Sequence, residues 1–157
     1  MRFSLLTVGK LKEKWLQQGA AEYEKRLRRL ASVKIWEIPD LPCPQGQAEQ
    51  VQALHREGAQ ILAKLNPRSY VIALDVAGKA LDSPGLAQLF SDLCLGGTSD
   101  TTFIIGGSMG LSPEVLVRCD LCLSFSAFTF PHQLMRVVLL EQIYRACKIN
   151  AGEVYHK

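Results

Sequence analysis

Five short runs of aliphatic and β-branched residues, separated by stretches of helical periodicity, leave this chain few ways to fold. Arg2–Val8, Val33–Ile38, Tyr70–Asp75, Thr101–Ile105 and Leu121–Ser124 read as strands. The third is apolar without alternation, as a strand covered on both faces must be. Between the runs, apolar residues step by three and four. Leu16, Ala20, Tyr23, Leu27 and Leu30 form one stripe, and Val51, Leu54, Gly58, Ile61 and Leu65 form a second. Ser83-Pro84 and Ser112-Pro113-Glu114 set a serine N-cap before a proline at the first helical position. The last helix runs from Pro131 to about Asn150. This alternation predicts an α/β fold, a mostly parallel sheet with helices on both faces. A length of 157 residues suits one domain, 1–157.

Several function classes are set aside by what the chain lacks. Its apolar runs fall short of the roughly 18–20 residues a membrane span needs. The start, Met1-Arg2-Phe3-Ser4-Leu5-Leu6, has no signal-peptide core or cleavage site, so a cytoplasmic protein without a membrane partner is expected. The cysteines, 43, 94, 119, 122 and 147, are odd in number and imply no disulfide framework. Cys119-Asp-Leu-Cys122 has the spacing of a redox or zinc pair, but no second pair stands at finger spacing. The cysteines read as small buried residues, and no metal is expected. Net charge is only +3, yet the cations cluster at Lys10, Lys12 and Lys14 and at Lys25-Arg26-Leu27-Arg28-Arg29. Two readings stand for the second cluster: cations opposing a helix C-terminal dipole, or a phosphate-contacting patch.

Two loops carry the functional signal. Phe103-Ile-Ile-Gly-Gly-Ser-Met-Gly110 ends a buried strand in a glycine turn. Ser124-Phe-Ser-Ala-Phe-Thr-Phe-Pro-His132 follows the next strand with small and aromatic residues. In α/β proteins, ligands sit beyond the carboxyl ends of the strands, so these two ends describe a crevice for a flat cofactor. No Lys-Ser/Thr follows the glycines, and their spacing does not fit the dinucleotide fingerprint. Taken alone, the Gly106-Gly107 pair also fits a purely structural turn. In the last helix, Leu134, Met135, Val137, Val138, Leu139, Leu140, Ile143 and Tyr144 cover more than one stripe. Such a helix needs burial on more than one side, and a second subunit would supply it.

Five segments occur together and in order: Leu74-Asp-Val-Ala-Gly-Lys79, Ile104-Ile-Gly-Gly-Ser108, Leu123–Phe130, Pro131-His-Gln-Leu-Met-Arg136 and Val154-Tyr-His-Lys157. With them the chain resembles, from Leu6-Thr-Val-Gly-Lys10 to its end, the RlmH family of SPOUT-class methyltransferases. Members of that family methylate N3 of a pseudouridine in 23S ribosomal RNA. Met109 departs from the family pattern, which has a small polar or acidic residue there. The resemblance implies a SPOUT-type sheet whose C-terminal segment is threaded as a trefoil knot. It implies S-adenosylmethionine as cofactor, lined by Leu74, Gly106 and the run Phe125, Ser126, Ala127, Phe128, Thr129 and Phe130. It also implies a homodimer acting on the large-subunit RNA of the assembled ribosome.

Methyl transfer from a sulfonium is an in-line displacement, so positioning the acceptor is the main task. The ring N–H must also lose a proton, which calls for a base. His132 and His156 are the candidates, with Tyr155 beside the latter, and Arg136 and Arg145 are candidate phosphate or carboxylate clamps. Plainer readings stand beside these. His132 would cap the last helix, the arginines would solvate it, and Tyr155-His156 would be a frayed tail. Two rival functions remain: a non-catalytic ribosome- or RNA-binding dimer that keeps the fold, and a small redox enzyme with a nucleotide cofactor.

Overall fold

The computed structural model describes residues 1–42, 44–153 and 155. The strands are β1 (Arg2–Val8), β2 (Ser32–Ile38), β3 (Tyr70–Ala80), β4 (Asp100–Ile105) and β5 (Leu121–Ser124). The helices are α1 (Lys14–Leu27), α2 (Gln47–Lys64), α3 (Ser83–Leu95), α4 (Pro113–Arg118) and α5 (His132–Asn150). One sheet has the order β2-β1-β4-β3-β5, and every pairing in it is parallel. The expected α/β architecture is therefore present.

Helices cover both faces because successive residues of the central strands point to opposite sides. Phe3 and Leu5 of β1, Ile72 of β3 and Phe103 and Ile105 of β4 enter a core with Leu27, Phe90, Leu139 and Ile143. The rings of Phe3 and Phe90 lie 4.9 Å apart there. Leu6, Val8, Val71 and Ile104 turn the other way, onto Ile61 of α2 and Val115 of α4. Thus α1, α3 and α5 share one face, and α2 and α4 the other.

No residue of α5 from His132 to Ile149 is exposed. Much of this burial comes from within the chain, since α1 and α3 both pack against α5. Gly19 brings α1 close, and a Cβ there would lie 3.2 Å from Val137 Cγ1. The apolar girth of α5 is thus largely met without a second subunit.

Three local features differ from the pattern read in the sequence. Asp82, not Ser83, caps α3, its Oδ1 accepting from the Gly85 N–H at 2.7 Å; such a cap contributes about 1 kcal/mol. The buried stripe of α2 is Ala53, Glu57, Gly58 and Ile61, while Val51 is exposed. β3 continues past Asp75 to Ala80, with an irregularity between Leu74 and Lys79, both of which pair with Leu123 of β5. At that crossing, a Cβ on Gly78 would lie 2.6 Å from the carbonyl of Cys122, so only glycine lets the backbones approach. This tight crossing is compatible with the expected trefoil knot. Among the described residues, no helix is long and apolar enough to cross a membrane.

Candidate cofactor pocket

A cavity of about 520 Å³ lies where the irregularity of β3 meets the carboxyl ends of β4 and β5. Leu74, Asp75 and Val76 form one wall, Ile105–Ser108 with Gly110 and Leu111 a second, and residues between Leu123 and Met135 a third. Its size and mainly apolar lining fall in the range of small-molecule and cofactor sites. Of the expected cofactor residues, Leu74, Gly106, Phe125, Ser126, Phe128, Thr129 and Phe130 line it, and Ala127 does not. Leu123, Ile105, Leu111 and Met135 extend the apolar lining beyond the residues expected from the sequence.

The loops are held by local hydrogen bonds. The Phe128 N–H donates to Ser126 Oγ at 3.0 Å, and the Ala77 N–H to Asp75 Oδ1 at 2.8 Å. The Gly110 N–H donates to the Gly107 carbonyl at 3.1 Å, closing the glycine turn. Gly106 is needed because this turn folds back on it. A Cβ there would stand 2.5 Å from the Gly110 oxygen, and the positive φ falls on Gly110 instead. At the mouth, Phe128 is 79% exposed, and Val76 and Phe130 are also open.

The candidate catalytic residues fall into two groups. His132 lines the pocket at the start of α5. Arg136, one turn on, is buried and already engaged: Nη1 bonds Glu37 Oε1 at 2.7 Å and Nη2 bonds the Gly9 carbonyl at 2.9 Å. Both hydrogen bonds tie the head of α5 to the ends of β1 and β2. Arg145 lies thirteen residues beyond His132, about 20 Å along the helix at 1.5 Å per residue. It pairs with Glu141 at 2.6 Å and stacks over the Tyr155 ring at 4.7 Å. Tyr155 packs edge-on against Tyr144 of the same helix. Within one chain, Arg145 and Tyr155 are remote from the pocket, and His156 lies outside the described residues.

Glu57 has no counterpart in the sequence-derived set. It is 1% exposed on α2, and burial pushes its carboxyl above the usual range, with Asp40 nearby adding to the effect and His132 opposing it. The signal that marks it is its place on the small apolar stripe between Ala53 and Ile61. Among the described residues, no three His, Cys, Asp or Glu side chains gather closely enough to hold a metal. Cys119 donates to the Val115 carbonyl, and burial pushes its thiol up to about 11.

The two basic clusters also separate. Lys25 and Arg26 fill the last turn of α1, where the dipole favours them, and Arg26 pairs with Glu22. Lys10, Lys12 and Lys14 are exposed at the start of α1, where the dipole opposes cations. The Lys12 N–H donates to Gln133 at the head of α5, so this cluster sits beside the pocket.

Residues 1–156 match the family model described as "Predicted SPOUT methyltransferase". Among solved structures, the chain is similar to a probable methylase family protein from Haemophilus influenzae Rd KW20. That similarity has 12% identity and a TM-score of 0.54, and covers 99% of this chain and 70% of the other. It supports the fold. A looser likeness, with 13% identity and a TM-score of 0.44, covers 96% of this chain and 58% of the SpoU methyltransferase AviRb from Streptomyces viridochromogenes, in complex with AdoMet. A methyltransferase family agrees with S-adenosylmethionine as cofactor. By a match over nearly its whole length, the chain belongs to the SPOUT methyltransferase family, as its resemblance to RlmH implied.

Proposed function

We propose that this chain transfers a methyl group from S-adenosylmethionine to N3 of a pseudouridine in 23S ribosomal RNA, on assembled ribosomes and as a homodimer. The observation that carries the reading is the apolar cavity between the β3 irregularity and the ends of β4 and β5, lined in part by His132. When bound, S-adenosylmethionine supplies an electrophilic methyl carbon on a sulfonium. Leu74, Leu123, Phe125 and Met135 exclude water from the bound group, and the loop backbones offer polar contacts to its heterocyclic edge. His132 accepts the ring proton as the acceptor nitrogen attacks. Lys10, Lys12 and Lys14 meet RNA phosphates beside the pocket mouth.

The homodimer reading is supported by the exposure of two aromatic side chains that line the pocket, Phe128 and Phe130. It also gives the distant Arg145 and Tyr155 a use. A second copy would bring its own α5 end and tail to a pocket that one chain leaves open. The test is methyl transfer from labelled cofactor to ribosomes lacking the modification, with the modified base mapped. Label at N3 of one pseudouridine is the expected result. Tight binding of the cofactor-free chain to ribosomes, with no methyl transfer, would favour a non-catalytic binder.

A further inference from the structure

Glu57 is anchored by only one of its oxygens. Oε1 accepts from the Leu41 N–H at 3.0 Å, while Oε2 is buried and has no hydrogen-bond partner among the described residues. That free oxygen faces the glycine turn: a Cβ on Gly107 would lie 3.5 Å from it and 3.4 Å from Asp40 Oδ1. Asp40 in turn borders Gly9, where a Cβ would stand 3.8 Å from its Oδ2 and 3.3 Å from His132 Nε2. Glu57, Asp40 and His132 thus converge around two glycines, at the ends of the neighbouring strands β1 and β4. A buried, half-bonded carboxylate is costly, and packing gains nothing from the second oxygen. Arg136 bonds Glu37 and the Gly9 carbonyl and makes no hydrogen bond to Glu57 among the described residues.

We propose that Glu57 is a positioning residue for methyl transfer, its carboxylate, with Asp40, stabilising the charge His132 acquires on taking the substrate proton. The inference rests on His132 being the base. In the step, the N–C bond forms as the C–S bond breaks, and the C–S electron pair stays on sulfur, which becomes neutral. The N–H electron pair stays on nitrogen and its proton moves to His132. The positive charge therefore passes from sulfonium to imidazolium, beside Glu57 and Asp40. The charged groups facing this position are Glu37 and Asp40 from β2 and its following loop, Glu57 from α2 and Arg136 from α5.

Glu57→Gln keeps the acceptor for Leu41 and removes the charge. Turnover is expected to fall roughly tenfold or more, with S-adenosylmethionine affinity by calorimetry within about twofold and thermal stability not lowered. In a His132→Gln background, Glu57→Gln should have no further effect, because the two act as one unit. Asp40→Asn, at an exposed position, should show a smaller loss that likewise disappears in that background. Unchanged turnover in Glu57→Gln, the same loss in both backgrounds, or loss of folding or cofactor affinity would each overturn the proposal. Full turnover in His132→Gln alone would remove the base itself. A strong His132 effect with a silent Glu57 would remove only this inference.

Discussion

The two ends of α5 do different work. At its head, His132 faces the pocket, and buried Arg136 bolts the helix to β1 and β2. At its tail, Arg145, Glu141, Tyr144 and Tyr155 form a partly exposed knot of ring and ion-pair contacts. The candidate catalytic residues His132 and Arg145 are thereby held about 20 Å apart along one helix. Either the set is completed across a subunit boundary, or its distal members only shape the helix end.

The largest expected contrast is in stability. Arg136→Met leaves the buried Gly9 carbonyl without its guanidinium partner, while Glu37 is exposed and keeps the Leu11 N–H, and should cost about 2 kcal/mol in chemical denaturation. On turnover, His132→Gln should lose on the order of 100-fold while calorimetry shows unchanged cofactor affinity. A matching loss of affinity would make His132 a wall of the pocket and not a base. Cutting the chain after Gly152 should lower turnover by roughly tenfold and leave affinity alone. Mixing truncated chains with His132→Gln chains sharpens this, because a heterodimer then holds one intact pocket and one intact tail. Recovered activity would place the tail in the partner's site, and none would keep it in its own chain. The smallest effect is expected for Arg145→Met, under about 1 kcal/mol of stability, because its pair with Glu141 is partly solvated.

The alternation of strand and helix is written in residue periodicity, because both faces of the sheet must be covered. Strand order is not, since the crossovers that place β4 between β1 and β3 depend on packing distant in sequence. The α3 cap is read one residue late, because Asp82 and Ser83 are both good caps and only geometry selects between them. The pocket walls are legible because glycines and aromatics after strand ends have few other uses. Glu57 is not, because a glutamate in a helix is read as solvent-facing unless its neighbours at i−4 and i+4, Ala53 and Ile61, are weighed with it.

The pocket assignment is tested most directly by titrating S-adenosylmethionine into the native chain and into Gly106→Val. The native chain should bind one cofactor per subunit. The variant, whose Cβ would meet the Gly110 backbone at 2.5 Å, should remain folded and lose on the order of 100-fold in affinity. No binding to the native chain, or equal binding to both, would contradict the account.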